Sequence, residues 1–195
     1  MKVFAKSSFM FILLALIGLA CSRSVTRVSP DEQIDLSGRW NDTDSKLVAN
    51  KMVQEFLTSS RYREYAEKKG SRPAIAVGFI QNKTSEHIEA DNYLRKFEVE
   101  IFNSGLADLV ESGEFREKLR QERAEQQDFA SPETTADWGK EIGADLMLFG
   151  TMTSEVDTYK KKKVVNYITT LQLTDVETAK LVWFGQEEIK KFIEN

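Results

Sequence analysis

The side chains that most often carry enzyme chemistry are scarce in this sequence. Its 195 residues include one histidine, His87, and one cysteine, Cys21. A zinc site would need further histidine or cysteine ligands, so the sequence predicts none. Ser85 lies two residues before His87, but side chains that close in a loop rarely have the geometry of a Ser–His–acid triad, and no G-x-S-x-G motif is present. We interpret His87 as a polar group of a loop or a helix start.

Phosphate-binding and acid–base motifs are missing as well. The Gly139–Lys140 pair has no upstream glycine at the spacing of a Walker motif. Carboxylates are plentiful, yet no pattern singles out the pair that a glycosidase uses. The chain has 27 basic and 31 acidic residues, and its net charge of −4 gives no case for nucleic-acid binding. We therefore predict a protein that is not an enzyme, uses no cofactor and binds no nucleic acid.

The N-terminus has the pattern of a secretory signal peptide. Lys2 and Lys6 form a positively charged start, and the apolar stretch Phe9–Leu19 follows. That stretch is shorter than the roughly 20 residues that a membrane-spanning helix requires. We predict that residues 1–20 are removed as a signal peptide.

Cys21 follows this segment at the position of a lipid-attachment site. The sequence Leu16–Cys21 (LIGLAC) resembles a bacterial lipobox, with Gly18 where leucine is usual. The motif predicts acylation of Cys21, which would leave no thiol for catalysis, disulfides or metal binding. The alternative is an ordinary signal peptide followed by an incidental cysteine. Ser22 stands where aspartate favours retention in the inner membrane, so it points to the outer membrane.

The remainder of the chain divides into a tether and one domain. Residues 21–41 are polar and lack periodicity, which predicts a short lipidated tether that spans at most about 70 Å. Residues 42–195 are long enough to build a single globular domain with its own core.

Within the domain, the stretch Ala74–His87 organises the predicted fold. Ala74–Ile80 is a nearly unbroken apolar run, which is typical of a strand buried on both faces. The polar residues Gln81–His87 then predict an exit loop. Because helical patterns occur on both sides of this stretch, we expect it to be the central strand of the sheet.

Periodicity predicts the other elements, with N-caps at Asn41–Asp44 and Asp91 and hairpin turns about Asp157–Lys163 and Asp175–Lys180. The helices are predicted through Val48–Leu57, Arg61–Lys69, Asn92–Ser104, Glu114–Asp128 and Ala136–Ile142, and the strands over Leu106–Val110, Asp145–Val156, Val165–Leu173 and Leu181–Phe184. The predicted fold class is α/β of the α+β type, a mixed β-sheet that is flanked by helices and ends in two β-hairpins.

Two charged segments each allow a structural and a functional interpretation. The Glu114–Asp128 helix carries Arg116, Arg120 and Arg123 among glutamates. This pattern is typical of a solvated face held by i,i+4 pairs, and a partner surface is the alternative. Lys160–Lys163 falls in a predicted hairpin, where lysines usually form a solvated turn that discourages edge pairing. The functional alternative there is contact with an acidic protein face or a membrane surface.

A set of motifs appears in an order that resembles one family. The motifs are Asp35–Ser45, Arg72–Ile88, Asn103–Gly105, Arg120–Arg123, Gly143–Asp145, Leu148–Gly150, Leu173–Thr178 and Val182–Trp183. They cover roughly residues 35 to 192, and the most specific parts are Trp40–Asp44 and Asn82–His87. Together they resemble the LpoB family of penicillin-binding protein activators.

The resemblance implies an outer-membrane lipoprotein whose domain faces the periplasm and resembles the N-terminal domain of TolB. It implies docking on a bifunctional penicillin-binding protein, stimulation of glycan polymerisation and crosslinking, and no catalytic residues of its own. We expect a monomer that is held at the membrane by the lipid at Cys21. The candidate partner surface comprises Asn82, Lys83, Thr84, His87, Arg116, Arg120 and Arg123.

Two departures from the family pattern bear on these expectations. Family members carry a long, proline-rich linker, whereas this chain has only the short tether. Ala179 also stands where a turn glycine is common. An envelope-assembly or structural lipoprotein with another periplasmic partner is therefore the alternative function, and a hydrolase acting on cell-wall glycan is a weaker one.

Overall fold

A computed structural model describes residues 24–30, 32–129, 131 and 141–194. Contacts within the chain divide it into two units, Met1–Glu32 and Gln33–Asn195. In the first unit, the described residues form no helix or strand, and the amide of Glu32 donates to the carbonyl of Ser29 over 3.1 Å. The predicted signal peptide and Cys21 lie outside the described residues, as does all but the last two residues of the predicted helix Ala136–Ile142.

Helix α1 (Asp42–Thr58) begins at a reciprocal cap. The side chain of Asn41 accepts a hydrogen bond from the amide of Asp44 (3.1 Å), and the carboxylate of Asp44 accepts one from the amide of Asn41 (2.9 Å). Such a capping box satisfies two amides that a helix start would leave unpaired. The buried residues of the helix include the predicted apolar stripe Val48, Ala49, Met52, Val53, Phe56 and Leu57.

Helices α2 (Ser60–Lys69) and α3 (Ala90–Ser104) both end at a glycine with positive φ. The values are 72° at Gly70 and 65° at Gly105. Glycine has no Cβ and adopts this left-handed backbone at little cost, so it stops each helix.

The predicted N-cap of α3 is wrong. Glu89 precedes the helix without a side-chain cap, and Asp91 lies in the first turn, where its charge still favours the positive end of the helix. Helix α3 buries one stripe of its surface, formed by Tyr93, Phe97 and Ile101.

The described strands form one mixed sheet in the order β2-β1-β3-β4-β5. Strand β1 pairs in parallel with β2 and β3, and β4 pairs antiparallel with β3 and β5. The strands are β1 (Ala74–Asn82), β2 (Asp108–Leu109), β3 (Leu146–Tyr159), β4 (Lys162–Asp175) and β5 (Leu181–Glu194). This sheet confirms the predicted fold class and its two closing hairpins, although β3 rather than β1 occupies the middle position.

Strand β1 differs from its prediction in two further respects. Ala74–Val77 is buried, but Phe79 is 58% exposed and stacks on Phe149 with ring centroids 5.9 Å apart. Phe79 points away from the helices, which cover the face that holds Ile80. The strand also continues to Asn82, so the exit loop starts two residues later than predicted.

The core lies between one face of the sheet and helices α1 and α3, which pack on each other and on strands β5 and β1. Phe56 and Trp183 meet there with ring centroids 5.7 Å apart. The largest fully buried side chains include Met52, Phe56, Ile75, Phe97, Ile101, Leu146, Leu148, Met152, Leu171 and Leu173.

Helix α4 (Gly113–Phe129) is attached differently, because none of its residues is buried. Its predicted apolar anchors, Phe115 and Leu119, are 51% and 45% exposed. Arg95 of α3 lies over Phe115, with its guanidinium carbon 4.9 Å from the ring centroid. Polar and cation–π contacts therefore hold this helix more than core packing does.

Candidate partner-binding site

The exit loop of β1 is organised by the side chain of Asn82. Its amide nitrogen donates to the carbonyl of Glu86 (2.8 Å), and its oxygen accepts from the backbone amide and the hydroxyl of Thr84 (2.9 and 2.8 Å). The hydroxyl oxygen of Thr84 accepts from the amide of Glu86 (3.1 Å). Short polar side chains that bond nearby backbone groups hold a turn in one conformation. Asn82 and Thr84 therefore shape the loop.

The side chains of this loop alternate between inside and outside. Within Asn82–His87, the even-numbered residues are half-buried, whereas Lys83, Ser85 and His87 are exposed. The side chain of His87 is 90% exposed, and its Nε2 lies 2.7 Å from Oε1 of Glu89. Of the four predicted partner residues in the loop, Lys83 and His87 are thus exposed, and Asn82 and Thr84 are half-buried.

Glu86 ties the loop to the core. Its Oε1 accepts a hydrogen bond from the hydroxyl of Tyr167 (2.6 Å), and its Oε2 accepts one from the amide of Trp40 (3.2 Å). Burial and the adjacent carboxylate both raise the pKa of Tyr167, so the phenol stays a donor at neutral pH. Sequence reasoning missed Glu86 because its partners are far away along the chain.

Trp40 completes this contact. Its ring packs edge-on against Tyr93 and Tyr167, at centroid distances of 5.6 and 5.5 Å, and its Nε1 donates to Oγ of Ser45 (2.7 Å). Trp40 and Glu86 belong to the two segments that carry the family resemblance most specifically. The structure therefore brings those two segments together.

A second polar cluster surrounds the ammonium of Lys191, which lies 2.7 Å from Asp35, 2.6 Å from Asp44 and 3.0 Å from the carbonyl oxygen of Arg39. The bond to Lys191 lowers the pKa of Asp35. Burial alone would lower the pKa of Lys191, but its bonds to Asp35 and Asp44 outweigh burial and raise it. Residues 35–41, which the sequence places in the tether, thus contact the domain.

The three arginines of the predicted surface converge on one carboxylate, Glu141. Arg120 makes two hydrogen bonds of 3.0 Å with it, and Arg123 makes one of 3.0 Å. Nε of Arg116 lies 3.9 Å from the same group. The bond to Arg120 lowers the pKa of Glu141 and in return raises the pKa of Arg120. The predicted basic surface is therefore partly neutralised within the chain.

The two candidate surfaces are separate but linked through α3. Between described residues, no hydrogen bond or ion pair joins the Asn82–His87 loop to the three arginines. Helix α3 begins just after the loop, and its Arg95 contacts Phe115 of α4. A shallow groove beside Phe115 is lined by Glu111, Phe115, Lys118, Leu119 and Glu122.

A search of the described ranges finds no group of three His, Cys, Asp or Glu side chains that could hold a metal ion. None of the helices within those ranges combines the length and the apolar character needed to cross a membrane. The polar clusters described above consist of hydrogen bonds and ion pairs within the chain.

Comparison with solved structures gives matches of low sequence identity. The LpoB C-terminal domain from Salmonella enterica is 16% identical, with a TM-score of 0.44, and the match covers 75% of this chain and 98% of that chain. The LpoB C-terminal domain from Escherichia coli is 17% identical, with a TM-score of 0.42 and coverages of 78% and 99%. Lipoprotein GNA1162 from Neisseria meningitidis is 15% identical, with a TM-score of 0.41 and coverages of 62% and 83%. A search of curated proteins finds no match.

A family model decides the relationship. The model of the peptidoglycan-synthase activator LpoB matches residues 44–189. The matched stretch runs from the first turn of α1 into β5 and includes the β1 exit loop and all of α4. It confirms the resemblance that the sequence motifs indicated, and the chain belongs to the peptidoglycan-synthase activator LpoB family.

Proposed function

We propose that this chain is a non-enzymatic envelope lipoprotein that binds a bifunctional penicillin-binding protein and activates its synthesis of peptidoglycan. The observation that carries the proposal is the match of residues 44–189 to a family of peptidoglycan-synthase activators. An activator needs a recognition surface rather than catalytic groups. The single histidine and single cysteine of the sequence agree with that requirement.

The outer side of the β1 exit loop is the proposed main contact. Lys83, Ser85 and His87 are exposed on a loop whose other side chains are bonded inward. A loop that is ordered before binding loses little conformational entropy when a partner binds. Because the exposed groups are polar and charged, we expect salt to weaken the complex chiefly by slowing association.

The groove on α4 is the proposed second contact. Phe115 and Leu119 offer half-exposed apolar surface between the charged side chains of Lys118 and Glu122. Apolar anchors inside a polar rim are the usual anatomy of a protein–protein interface. The neighbouring residues Arg116, Arg120 and Arg123 add charge at its edge.

The proposal includes export, lipidation at Cys21 and an outer-membrane location with the domain in the periplasm. The lipobox-like sequence before Cys21 supports it. Because residues 35–41 contact the domain, they add little to the reach of the predicted tether. The residues before them, 21–34, span at most about 50 Å when fully extended. The synthase must therefore approach the membrane that holds the anchor.

The test titrates the full-length lipoprotein, purified in detergent, into a glycan-polymerisation assay with each bifunctional penicillin-binding protein of the same cell. We expect binding and a faster rate for one synthase. Lys83→Glu should weaken the apparent affinity about tenfold, because it places a negative charge at the contact. The matched control is Lys180→Glu, which makes the same change in the Asp175–Lys180 turn, away from the loop. If no synthase binds and no rate changes, the proposal is wrong.

An envelope-assembly or structural lipoprotein with another periplasmic partner is the second candidate. The short tether favours it, because such a protein works beside its own membrane. A long flexible linker inserted after Cys21 separates the two functions. Activation of a synthase should persist or improve with greater reach, whereas a short-range assembly role should be lost.

A further inference from the structure

The β3–β4 hairpin ends in a tip that the proposed partner surface does not use. Both strands are 14 residues long, and the turn Lys160–Lys161 lies between the paired residues Tyr159 and Lys162. Lys160 has a φ of 54°, a left-handed conformation that glycine or asparagine adopts more easily. The backbone conformation of the turn therefore does not explain why position 160 is a lysine.

Exposed aromatic rings accompany these lysines. Tyr159 is 69% exposed, and Phe192 on the neighbouring strand β5 is 60% exposed. Nζ of Lys160 lies 5.2 Å from the ring centroid of Tyr159, and Nζ of Lys162 lies 5.9 Å from that of Phe192. Rings beside flexible ammonium groups are the combination that suits a membrane–water interface, where rings enter the headgroup layer and ammonium groups meet phosphates.

The tip is positively charged although the chain as a whole has a net charge of −4. Lys160–Lys163 supplies consecutive cations, and the nearby carboxylates of the described residues include those of Asp157 on β3 and Glu194 on β5. Glu194 lies 3.4 Å from Lys162 and neutralises part of this charge. An anionic surface would therefore attract this end of the domain and repel much of the rest.

The chain coming from the N-terminus meets the domain at the same end of the sheet. Gly38 approaches Ile193 so closely that an added Cβ would clash with the Ile193 side chain. Ile193 is the partner of Lys163 in the β4–β5 ladder. The Asp175–Lys180 turn lies at the other end of β4, about 45 Å away at the usual rise of a strand. The segment around Gly38, through which the chain enters the domain, and the basic tip thus lie at the same end of the sheet.

We propose that the tip Tyr159–Lys163, together with Phe192, rests on the anionic headgroups of the bilayer that holds the lipid anchor. The inference rests on the proposed anchor at Cys21. It orients the domain with the Asp175–Lys180 turn away from the membrane. A lysine beside an anionic surface contributes about 1 kcal/mol, so each one multiplies the population of the docked state about fivefold.

The experiment places one reporter at each end of the hairpin in the full-length lipoprotein. Acylation of Cys21 blocks the only native thiol, so an engineered cysteine is the single labelling site. Thr158→Cys places a fluorophore beside the tip without removing a lysine, and Glu177→Cys places one in the far turn. Both chains are reconstituted in vesicles that carry a headgroup-linked quencher, with either 30% phosphatidylglycerol or phosphatidylcholine alone.

We expect strong quenching at position 158, weak quenching at position 177, and loss of the difference in phosphatidylcholine. In the Thr158→Cys background, Lys160→Gln with Lys161→Gln should reduce the docked-to-undocked ratio about 25-fold. The control pair, Lys68→Gln with Lys180→Gln, removes the same charge elsewhere and should leave quenching unchanged.

Flotation of the chain with the vesicles reports the anchor separately from the tip. A chain that does not float overturns the anchor and this proposal with it. A chain that floats but shows equal quenching at positions 158 and 177 overturns only the proposal about the tip. Quenching at position 158 that changes neither with the lipid charge nor with the two lysine substitutions would show that the tether alone holds the tip near the membrane. That result also overturns the proposal about the tip.

Discussion

The β1 exit loop and helix α4 carry the two predicted partner surfaces, and the domain holds them in opposite ways. The loop is bonded through Asn82 and Glu86 to itself and to the buried phenol of Tyr167. Helix α4 buries no residue, and its arginines meet the carboxylate of Glu141. Polar residues of the loop therefore hold its backbone in one conformation, whereas polar residues of α4 are themselves exposed.

This difference determines how each region should respond to mutation and salt. Hydrogen bonds to buried partners are little screened, and removing one partner leaves the other unsatisfied. Exposed ion pairs contribute less than about 1 kcal/mol and weaken as salt is added. Changes on the loop side should cost global stability, and changes on α4 should alter local order.

The largest expected effect is at Trp40. Trp40→Ala removes the ring between Tyr93 and Tyr167 and should lower the free energy of unfolding by about 3 kcal/mol. Leu119→Ala on α4 should change it by no more than about 0.5 kcal/mol. Urea denaturation followed by circular dichroism measures both. If both variants lower the free energy of unfolding by similar amounts, the two regions do not differ in how they contribute to stability.

A smaller loss is expected for Asn82→Ala, about 1–2 kcal/mol, because it removes the acceptor of the amide and hydroxyl of Thr84 and a donor to the carbonyl of Glu86. The control is Asn92→Ala, which truncates an exposed asparagine at the start of α3. Thermal unfolding compares the two. An unchanged midpoint for Asn82→Ala would mean that the loop is ordered by other contacts.

Acid should weaken the ion pair between Asp35 and Lys191, which attaches the segment before α1 to the domain. Lys191 holds the pKa of Asp35 below its ordinary value of 3.8. The folded pKa is thus lower than the unfolded one, so this contribution is present above about pH 4 and is lost as pH falls through the folded value. We expect Asp35→Asn to be less stable than the native chain at pH 7 and equally stable once Asp35 is protonated.

That comparison is made by urea titrations at several pH values between 7 and 2. Glu32→Gln, at an exposed carboxylate of the first unit, is the control and should show no such convergence. If the free energies of unfolding of Asp35→Asn and the native chain still differ at pH 2, the effect is due to packing rather than charge.

The smallest global effect is expected for Glu141→Gln, which releases the three arginines of α4 from their shared carboxylate. The melting temperature should hardly move, while amide exchange in α4 should become faster at low salt. In 0.5 M salt the native chain should approach the variant, because the pairs are screened. Unchanged exchange in Gly113–Phe129 would show that these pairs do not hold the helix.

Local patterns predicted most of the fold. Apolar stripes at period 3.6 located α1 and α3, and glycines located the ends of α2 and α3. Alternation along Val165–Leu173 located β4, and turn residues located both hairpins. Each of these signals lies within a few residues of the structure that it predicts.

Apart from the N-cap of α3, the errors arose where a distant part of the chain decides the outcome. Phe79 was predicted as buried because its neighbours are apolar, yet its exposure depends on which face of the sheet the helices cover. The bond from Tyr167 to Glu86 spans 81 residues, and the bond from Arg120 to Glu141 spans 21. Such pairs leave no local pattern, so the sequence could single out the loop as a candidate surface but could not predict its rigidity.

The two contacts of the N-terminal segment also lie in series along the chain. A pull on the N-terminal side reaches the ion pair of Asp35 with Lys191 first and the contact of Trp40 with Glu86 next. Glu86 belongs to the exit loop, so a load that frees Trp40 removes one of the bonds that fix the loop. A load on the chain before Asp35 would therefore reach the proposed contact surface of the loop through these two contacts in turn.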